Sequence, residues 1–344
     1  MPHWKSALCE GQVIPACPLA LHEDGTWSPR HQRALIRYYH AAGAGGLAVG
    51  VHTTQFEIRQ PEHNLLKPVL QLAAETLREI ADEAFVRVAG ICGPTPQAQQ
   101  EATLARDLGY HCGLVSLSAL KEADDDALIE HCERVSEILP VFGFYLQPAV
   151  GGRLLSYRFW RRFCDIENVV AIKIAAFNRY QTWDVVRAVI ESGREEISLY
   201  TGNDDNIIVD LLTEFRHENR SRRIVGGLLG QWAVWTKAAV DMLRQIKNDR
   251  QSDQLSAEWL SRNVALTDIN GVLFDAAHSF EGCIPGINEV LRRNGLLPSG
   301  RCLNPAEVLS PGQSDEVSRV TAAYPEFTDD DFIRSHVAEW LDGD

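Results

Sequence analysis

Lys173 is the residue whose type and setting point most directly to chemistry. It lies inside the run 169–176, which is otherwise apolar and has the composition of a buried strand. Burying an ammonium group among apolar side chains is costly, so such a lysine is usually paired or has a lowered pKa. A lysine that is neutral near pH 7 attacks carbonyl carbons and forms Schiff bases. The alternative is a lysine at a strand end, with a buried stem and an ammonium group that reaches solvent.

A tyrosine one strand–helix unit earlier is the second candidate. Tyr145 lies near the end of the apolar run 142–147, 28 residues before Lys173. In a parallel barrel, residues at the C-terminal ends of neighbouring strands converge on one mouth, where catalytic groups gather. The alternative for Tyr145 is core packing, with its hydroxyl bonded to the backbone.

A turn with several polar side chains is the third candidate. It begins at Gly50, after an apolar run, and continues through His52, Thr53 and Thr54. The backbone N–H groups and hydroxyl donors of such a turn can hold a carboxylate. The turn predicts a substrate-binding site only in combination with the two candidates above, since Thr-rich turns are common.

Eight short apolar runs and the helix-length segments between them must position these residues. The runs are nearly continuous in apolar residues, which is typical of strands buried on both faces of a parallel sheet. Helix-start signals lie between them, such as Ser28 before Pro29, and the aspartates 124–126 in a first turn. Eight strand–helix units predict an α/β fold, the (β/α)8 TIM barrel. The predicted strands are Val13–Cys17, Gly46–Gly50, Val86–Cys92, Gly113–Leu117, Phe142–Gln147, Val169–Ala175, Ser198–Thr201 and Ile224–Leu229.

After about residue 247 the pattern changes to helices without strands, joined by loops rich in Pro and Gly. The sequence therefore predicts a barrel over residues 1–247 that carries the active site, and a C-terminal helical region over 248–344. We expect the acidic tail 315–344 to present a solvated helical face. The predicted helices of this region are Leu255–Ala277, Ile287–Asn294 and Asp329–Trp340.

Composition excludes several classes of protein. With 45% hydrophobic residues in 344, the chain has a globular composition rather than a fibrous or disordered one. The net charge of −14, without a basic block, disfavours binding to nucleic acid or to an anionic membrane. No apolar stretch approaches the ~18 residues of a membrane span, and residues 1–11 lack the apolar core of a signal peptide. The eight scattered cysteines predict buried free thiols and a cytoplasmic protein.

Taken together, the motifs resemble those of the dihydrodipicolinate synthase/N-acetylneuraminate lyase family of class I aldolases. The family's Tyr-x-x-Pro is matched by residues 145–148, and its Schiff-base lysine, one strand later, by Lys173. Its Gly-Thr-Thr-Gly-Glu turn is matched in part by residues 50–56. The likeness runs from about Gly11 to Leu309. Further landmarks are Gly202-Asn203-Asp204 after the seventh run, the glycine-rich eighth run Gly226–Gly230, and Gly282-Cys283-Ile284-Pro285-Gly286.

The resemblance implies a mechanism and a set of ligands. Lys173 would condense with the ketone of pyruvate or another 2-oxo acid, and Tyr145 would shuttle protons and contact the substrate carboxylate. Gly227, in the glycine-rich strand, would contact the substrate. The protonated imine would then act as the electron sink for aldol cleavage, condensation or dehydration, with an aldehyde as the second substrate. No metal or cofactor is needed, and the family's assembly implies a homo-oligomer, a tetramer or a dimer.

Two alignments of the turn are open. Without a gap, Val51 and His52 fall on the family's two threonines, whereas a shift of two residues places Thr53 and Thr54 there. We expect the second alignment, because the hydroxyls suit a carboxylate, with His52 beside them.

Two departures argue against the lysine-pathway synthase itself. Those synthases carry a relay tyrosine after the fourth strand, where this chain has Leu117–Leu120, and an arginine where it has Val150. Valine cannot make the bidentate pairing of arginine with a carboxylate. Arg153, two glycines further on, could take the place of that arginine.

Other functions are weighed against this interpretation. A barrel of the same fold could bind a small acid without turnover, since a fold does not guarantee an activity. The presence of both Lys173 and Tyr145 favours the enzyme. His111-Cys112, His131-Cys132 and His278 do not supply the three or four converging ligands that zinc needs, so we predict no metal site.

Overall fold

The computed structural model describes residues 2–343. The chain forms two compact units. The first comprises the chain up to Gln12 together with Glu83–Leu228, and the second comprises Val13–Asp82 together with the chain from Leu229. The predicted boundary after residue 247 has a different basis, because it marks the point in the chain where strand–helix units give way to helices.

The described chain contains nine strands and thirteen α-helices, besides short 3-10 turns. The strands are β1 (Val13–Pro15), β2 (Gly46–Val49), β3 (Val86–Ile91), β4 (Cys112–Val115), β5 (Val141–Leu146), β6 (Val169–Ala175), β7 (Ser198–Thr201), β8 (Glu214–His217) and β9 (Arg220–Leu229). The helices are α1 (His3–Glu10), α2 (Pro29–Ala41), α3 (Leu66–Ile80), α4 (Thr95–Leu108), α5 (Asp125–Ser136), α6 (Tyr157–Phe163), α7 (Arg179–Ser192), α8 (Ile207–Leu212), α9 (Thr236–Asp249), α10 (Glu258–Leu273), α11 (Cys283–Arg293), α12 (Gln313–Ala323) and α13 (Asp330–Asp342).

The first unit carries a parallel sheet whose strands are paired in the order β3-β4-β5-β6-β7-β9. In the second unit, β1 and β2 run parallel, joined by the bridge between Ala16 and Ala48. These eight strands and the helices that follow them form a (β/α)8 barrel with a C-terminal helical region. The predicted fold class is confirmed.

Local sequence explains where the helices begin. Ser28 is the N-cap of α2, and Pro29 occupies the first helical position, where a missing N–H group costs nothing. Asp124 caps α5 by accepting a hydrogen bond from the N–H of Ala127 at 2.9 Å. Both helices start where the sequence predicts.

Two elements were not predicted. They are α1 and the strand β8, which pairs antiparallel with the first half of β9. The expectation for the acidic tail is partly wrong, because Ile333 and Trp340 of α13 are buried. Tyr38 and Trp340 lie with ring centroids 5.5 Å apart, so α13 packs on α2 through an apolar face.

Two further expectations concern the surface and the thiols. In the described part of the chain, no helix is both long and apolar enough to cross a membrane. All eight cysteines are free thiols, and six of them are buried as predicted, whereas Cys9 and Cys92 are partly exposed.

Candidate functional site

Lys173 lies near the C-terminal end of β6, where the sequence predicts it. Its side chain is half-buried, whereas its neighbours on the strand are fully buried. Its register partners are Phe144 on β5 and Tyr200 on β7. The Lys173 Nζ lies 4.6 Å from the centroid of the Phe144 ring. The amine is therefore positioned by the two neighbouring strands at the end of the sheet where barrel enzymes place their catalytic groups.

The stem of Lys173 depends on a glycine at the end of β7. A Cβ atom added to Gly202 would lie 2.5 Å from Lys173 Cε and 2.9 Å from the Cβ of Ala175. Real side chains do not approach so closely, so any residue other than glycine at this position would collide with the side chain of Lys173. The small residue after β7 is thus part of the lysine site.

The carboxyl group of Asp204 is the acid that interacts with Lys173. Burial raises the pKa of Asp204 to about 8; the positive charge of Lys173 opposes this shift, and the charge of Asp205 adds to it. A carboxyl group whose pKa is raised in this way can both give and accept a proton near neutral pH. This carboxyl group can therefore act as an acid or a base beside the lysine.

A buried network fixes the loop that carries Asp204. Asn203 donates to Asp210 at 2.9 Å and accepts a hydrogen bond from the N–H of Phe177 at 3.0 Å. Asp210 is fully buried and pairs with Arg179 at 2.7 Å. Phe177 has a φ of 50°, a left-handed conformation that is rare for a bulky residue. The network therefore joins the loop after β6, the strand that carries Lys173, to the loop after β7, which carries Asp204.

Tyr145 is placed differently from what the resemblance implies. It is buried, and its ring lies 5.4 Å from that of Trp160 on α6. Its hydroxyl accepts a hydrogen bond from the N–H of Leu155 and donates to the carbonyl of the same residue, both at 3.2 Å. Burial raises the pKa of Tyr145. Along β5 it is Phe144, not Tyr145, that pairs with Lys173. These contacts are those of the alternative interpretation, core packing, and the catalytic role of Tyr145 stays a prediction.

The turn after β2 belongs to the second unit. The hydroxyl of Thr53 donates to the carbonyl of Ala16, and that of Thr54 to the carbonyl of Cys17, both at 2.7 Å. The Thr54 hydroxyl also accepts a hydrogen bond from the N–H of Gly50 at 3.0 Å. Both hydroxyl protons are thus donated to backbone carbonyls, and carboxylate binding by Thr53 and Thr54 stays a prediction.

His52 and Gly227 complete the set of predicted residues. His52 is half-buried, with its ring 5.8 Å from that of Phe56. Gly227 is buried on β9, and its N–H donates to the carbonyl of Gln12 at 3.1 Å. Its register partner is Thr201 on β7, the strand that precedes Gly202. A substrate contact at either residue stays a prediction.

Histidines that could suggest a metal site have other contacts. His131 Nδ1 lies 2.9 Å from Thr95 Oγ1, and His278 Nδ1 lies 2.6 Å from Asp275. Within residues 2–343, no group of three or more His, Cys, Asp or Glu side chains is arranged to hold a metal ion.

Comparison with known proteins places the fold. No protein-family model and no curated protein sequence matches the chain. Among solved structures, it is similar to dihydrodipicolinate synthase from Oceanobacillus iheyensis, with 17% identity, a TM-score of 0.75, and coverage of 94% of this chain and 99% of that one. It is also similar to N-acetylneuraminate lyase from Fusobacterium nucleatum, with 17% identity, a TM-score of 0.72, and coverage of 93% and 100%. A third is YagE from E. coli K12, a prophage protein of the dihydrodipicolinic acid synthase family in complex with pyruvate, with 17% identity, a TM-score of 0.71, and coverage of 92% and 98%.

The chain has the fold of the dihydrodipicolinate synthase/N-acetylneuraminate lyase family. Identities this low establish the fold and leave the activity to be argued from the site. In that fold, the residues around Lys173 that sequence reasoning did not select are Phe144, Gly202 and Asp204. The signal for Gly202 and Asp204 was present, since both belong to the motif recognised after the seventh run. Phe144 gave no signal, because a phenylalanine in a buried strand is ordinary.

Proposed function

We propose that this protein is a class I lyase in which Lys173 forms a Schiff base with a 2-oxo acid. The observation that supports it most is the half-buried amine near the C-terminal end of β6, fitted between Phe144 and Gly202. A lysine that served only to solubilise a strand end would need neither an aromatic ring under its amine nor a glycine beside its stem. Similarity in fold to a pyruvate-bound protein supports pyruvate as the first ligand to test.

The chemistry follows from a lysine amine on a buried strand. The unprotonated Nζ attacks C2 of the 2-oxo acid, the carbonyl oxygen leaves as water, and a C=N bond replaces the C=O bond. The protonated imine withdraws electrons from C3. In the cleavage direction the C3–C4 bond breaks, C4 leaves as an aldehyde, and the electron pair passes to C3 and the iminium nitrogen as an enamine. Protonation at C3 and hydrolysis then release the shortened 2-oxo acid and restore the lysine.

Proton transfer in these steps is assigned to Asp204. Its carboxyl group interacts electrostatically with Lys173, and its raised pKa suits exchange near neutral pH. In the cleavage direction, the Asp204 carboxylate takes the proton of the C4 hydroxyl as the C3–C4 bond breaks. The role that the resemblance assigns to Tyr145 would need its hydroxyl to leave the backbone of Leu155.

The second substrate is proposed to be an aldehyde that carries less negative charge than aspartate semialdehyde, or the aldehyde part of a 2-oxo sugar acid. Val150 lies in the short turn after β5, where the lysine-pathway synthases use an arginine. Arg153 donates to the carbonyl of Leu120 at 2.5 Å, and this contact engages the guanidinium that could replace that arginine.

We also propose a cytoplasmic homo-oligomer, a tetramer or a dimer, and the free thiols support the reducing compartment.

Pyruvate release from 4-hydroxy-2-oxo acids tests the proposal. Purified protein is incubated with a panel of these acids of increasing polarity, and pyruvate is followed through NADH oxidation by lactate dehydrogenase. We expect turnover with at least one member, lost in Lys173→Arg and kept in Lys121→Arg, a lysine after β4. Turnover that survives Lys173→Arg contradicts the mechanism, and binding of pyruvate without turnover across the panel supports the non-catalytic alternative.

A further inference from the structure

The amine of Lys173 lies over the face of an aromatic ring. Its Nζ is 4.6 Å from the centroid of Phe144, and only 7% of Phe144 is exposed. The face of an aromatic ring carries negative partial charge and attracts a cation within about 6 Å, more strongly where water is excluded. The ring therefore favours whichever form of the nitrogen is positively charged.

The position of the amine is also fixed from β7, the neighbour of β6 on the side opposite to Phe144. Phe144 and Lys173 are register partners on adjacent strands, so their side chains leave the sheet on the same face. Gly202, after β7, lies against Cε and Cγ of the lysine stem. A side chain at Gly202 would occupy the course of the stem, and its absence leaves the stem free to pass towards the ring. The contact between amine and ring is thus built by three strands.

We propose that Phe144 is a catalytic residue, whose ring face stabilises the positive charge on Lys173 Nζ in the resting ammonium and in the iminium formed with a 2-oxo acid. The iminium part of this inference rests on the proposed function. The ammonium part rests only on the geometry of Phe144 and Lys173. The amine loses its charge before it attacks C2 and the same nitrogen is charged again in the iminium, so one ring can serve both charged forms.

Asp204, after β7, is the charged group whose interaction with the amine the structure gives. Asp205 acts on Asp204 in turn, and Arg179, at the start of α7, pairs with Asp210. Burial keeps the Asp204 carboxyl protonated to a higher pH than usual, with a pKa of about 8. The Phe144 ring contacts the amine directly, and it stabilises the cation in addition to these charged groups.

The test measures the reactivity of Lys173 alone, without any 2-oxo acid. Wild type and variants are acetylated with a trace of acetic anhydride between pH 5 and 11, and peptide mapping gives the labelling of Lys173 at each pH. In Phe144→Leu we expect the midpoint to fall by about 0.4 to 1.5 pH units, the range that corresponds to a cation–π contact. Phe144→Tyr, which keeps the ring, should retain the wild-type midpoint.

Phe142→Leu is the matched control. Phe142 lies two residues earlier on the same strand, is also buried, and packs on Tyr200 with centroids 5.4 Å apart. Its replacement removes a ring of the same size from the same face, and the midpoint of Lys173 should not move. If Phe144→Leu does not fold, Phe144→Met supplies an apolar side chain of similar length for the same measurement.

The outcomes separate this inference from the proposed function. A midpoint that is the same in Phe144→Leu and in wild type, or that shifts equally in Phe142→Leu, overturns the role of Phe144. Borohydride trapping of the wild type with pyruvate tests the Schiff base independently. Where trapping succeeds, Phe144→Leu should also raise the pyruvate concentration for half-maximal trapping about 2- to 30-fold at a pH above the Lys173 midpoint, where the free amine is neutral and only the iminium gains from the ring. An unchanged concentration at that pH overturns the iminium part.

Discussion

At the scale of single residues, the site depends on how Lys173 and Asp204 share protons. Burial holds the pKa of the Asp204 carboxyl near 8, above its ordinary value of 3.8. The group is therefore partly ionised near neutral pH, where the proposed lyase has to move protons in both directions. Lys173 was predictable from sequence, because an ammonium group in an apolar run is unusual. The burial of Asp204 was not, because it depends on how the loop after β7 folds back.

Replacing Asp204 tests its role in proton transfer. In the cleavage direction Asp204 acts as the base, so the wild-type turnover should rise as the pH passes through about 8. Asp204→Asn cannot accept the proton, and turnover should fall by about 10²–10⁴ and lose this rise. The rate of pyruvate release as a function of pH measures both effects. A variant with the wild-type profile would show that another group moves the proton.

Replacing Tyr145 separates packing from catalysis. Tyr145→Phe leaves the N–H and carbonyl of Leu155 without their side-chain partner, which should cost about 1–3 kcal/mol of unfolding free energy. Because the structure commits the hydroxyl to these bonds, we expect turnover to stay within tenfold of the wild type. Urea unfolding and steady-state kinetics provide the two measurements. A loss of turnover by about 10²–10⁴ at unchanged stability would instead support the proton shuttle that the resemblance implies.

At the scale of elements, the ends of β5, β6 and β7 assemble the lysine site. Buried parallel strands are readable as continuous apolar runs, and β6 and β7 have the bounds that the sequence predicts. The strand β8 and the start of β9 were missed because they are short and rich in charged residues, such as Arg220–Arg223. The side on which Tyr145 leaves β5 could not be read either, because it depends on the register between β5 and β6.

A substitution at Gly202 tests whether the end of β7 shapes the lysine site. Gly202→Ala places a methyl group 2.5 Å from Lys173 Cε, so the lysine stem must move. We expect turnover and imine formation to fall at least tenfold, because the lysine stem and the Cβ of Ala175, 2.9 Å from the added methyl group, must both shift. Gly271→Ala in α10 is the matched control, since no atom lies within 4 Å of its added Cβ. Equal activities of the two variants would contradict the account.

At the scale of the whole molecule, the C-terminal tail is part of the second unit's core. Asp329 accepts hydrogen bonds from the Tyr38 hydroxyl and the N–H of Lys237, both at 2.8 Å, and so joins α2, α9 and the start of α13. The sequence predicted the helix of the tail but not its packing. An acidic composition describes the exposed face, whereas docking depends on a few apolar residues such as Ile333 and Trp340.

The burial of Asp329 predicts a pH dependence of stability. Burial raises its pKa to about 6 from 3.8, so between these values the folded protein binds more protons than the unfolded chain. The stabilisation from this group is complete at low pH and is lost as the pH rises through 6. The unfolding free energy of the wild type relative to Asp329→Asn should therefore fall by about 1–3 kcal/mol between pH 4 and 7. Urea titrations measure it, with the exposed Asp331→Asn as control; a pH-independent difference would contradict the account.

The formation of an imine at Lys173 is the central claim, and trapping tests it most directly. The protein is treated with pyruvate and sodium borohydride, and intact mass and peptide mapping locate the adduct. We predict one added pyruvate-derived group, on Lys173, absent in Lys173→Ala and present in Lys121→Ala. An adduct on a different lysine, or no adduct with pyruvate or any other 2-oxo acid of a panel, would contradict the account.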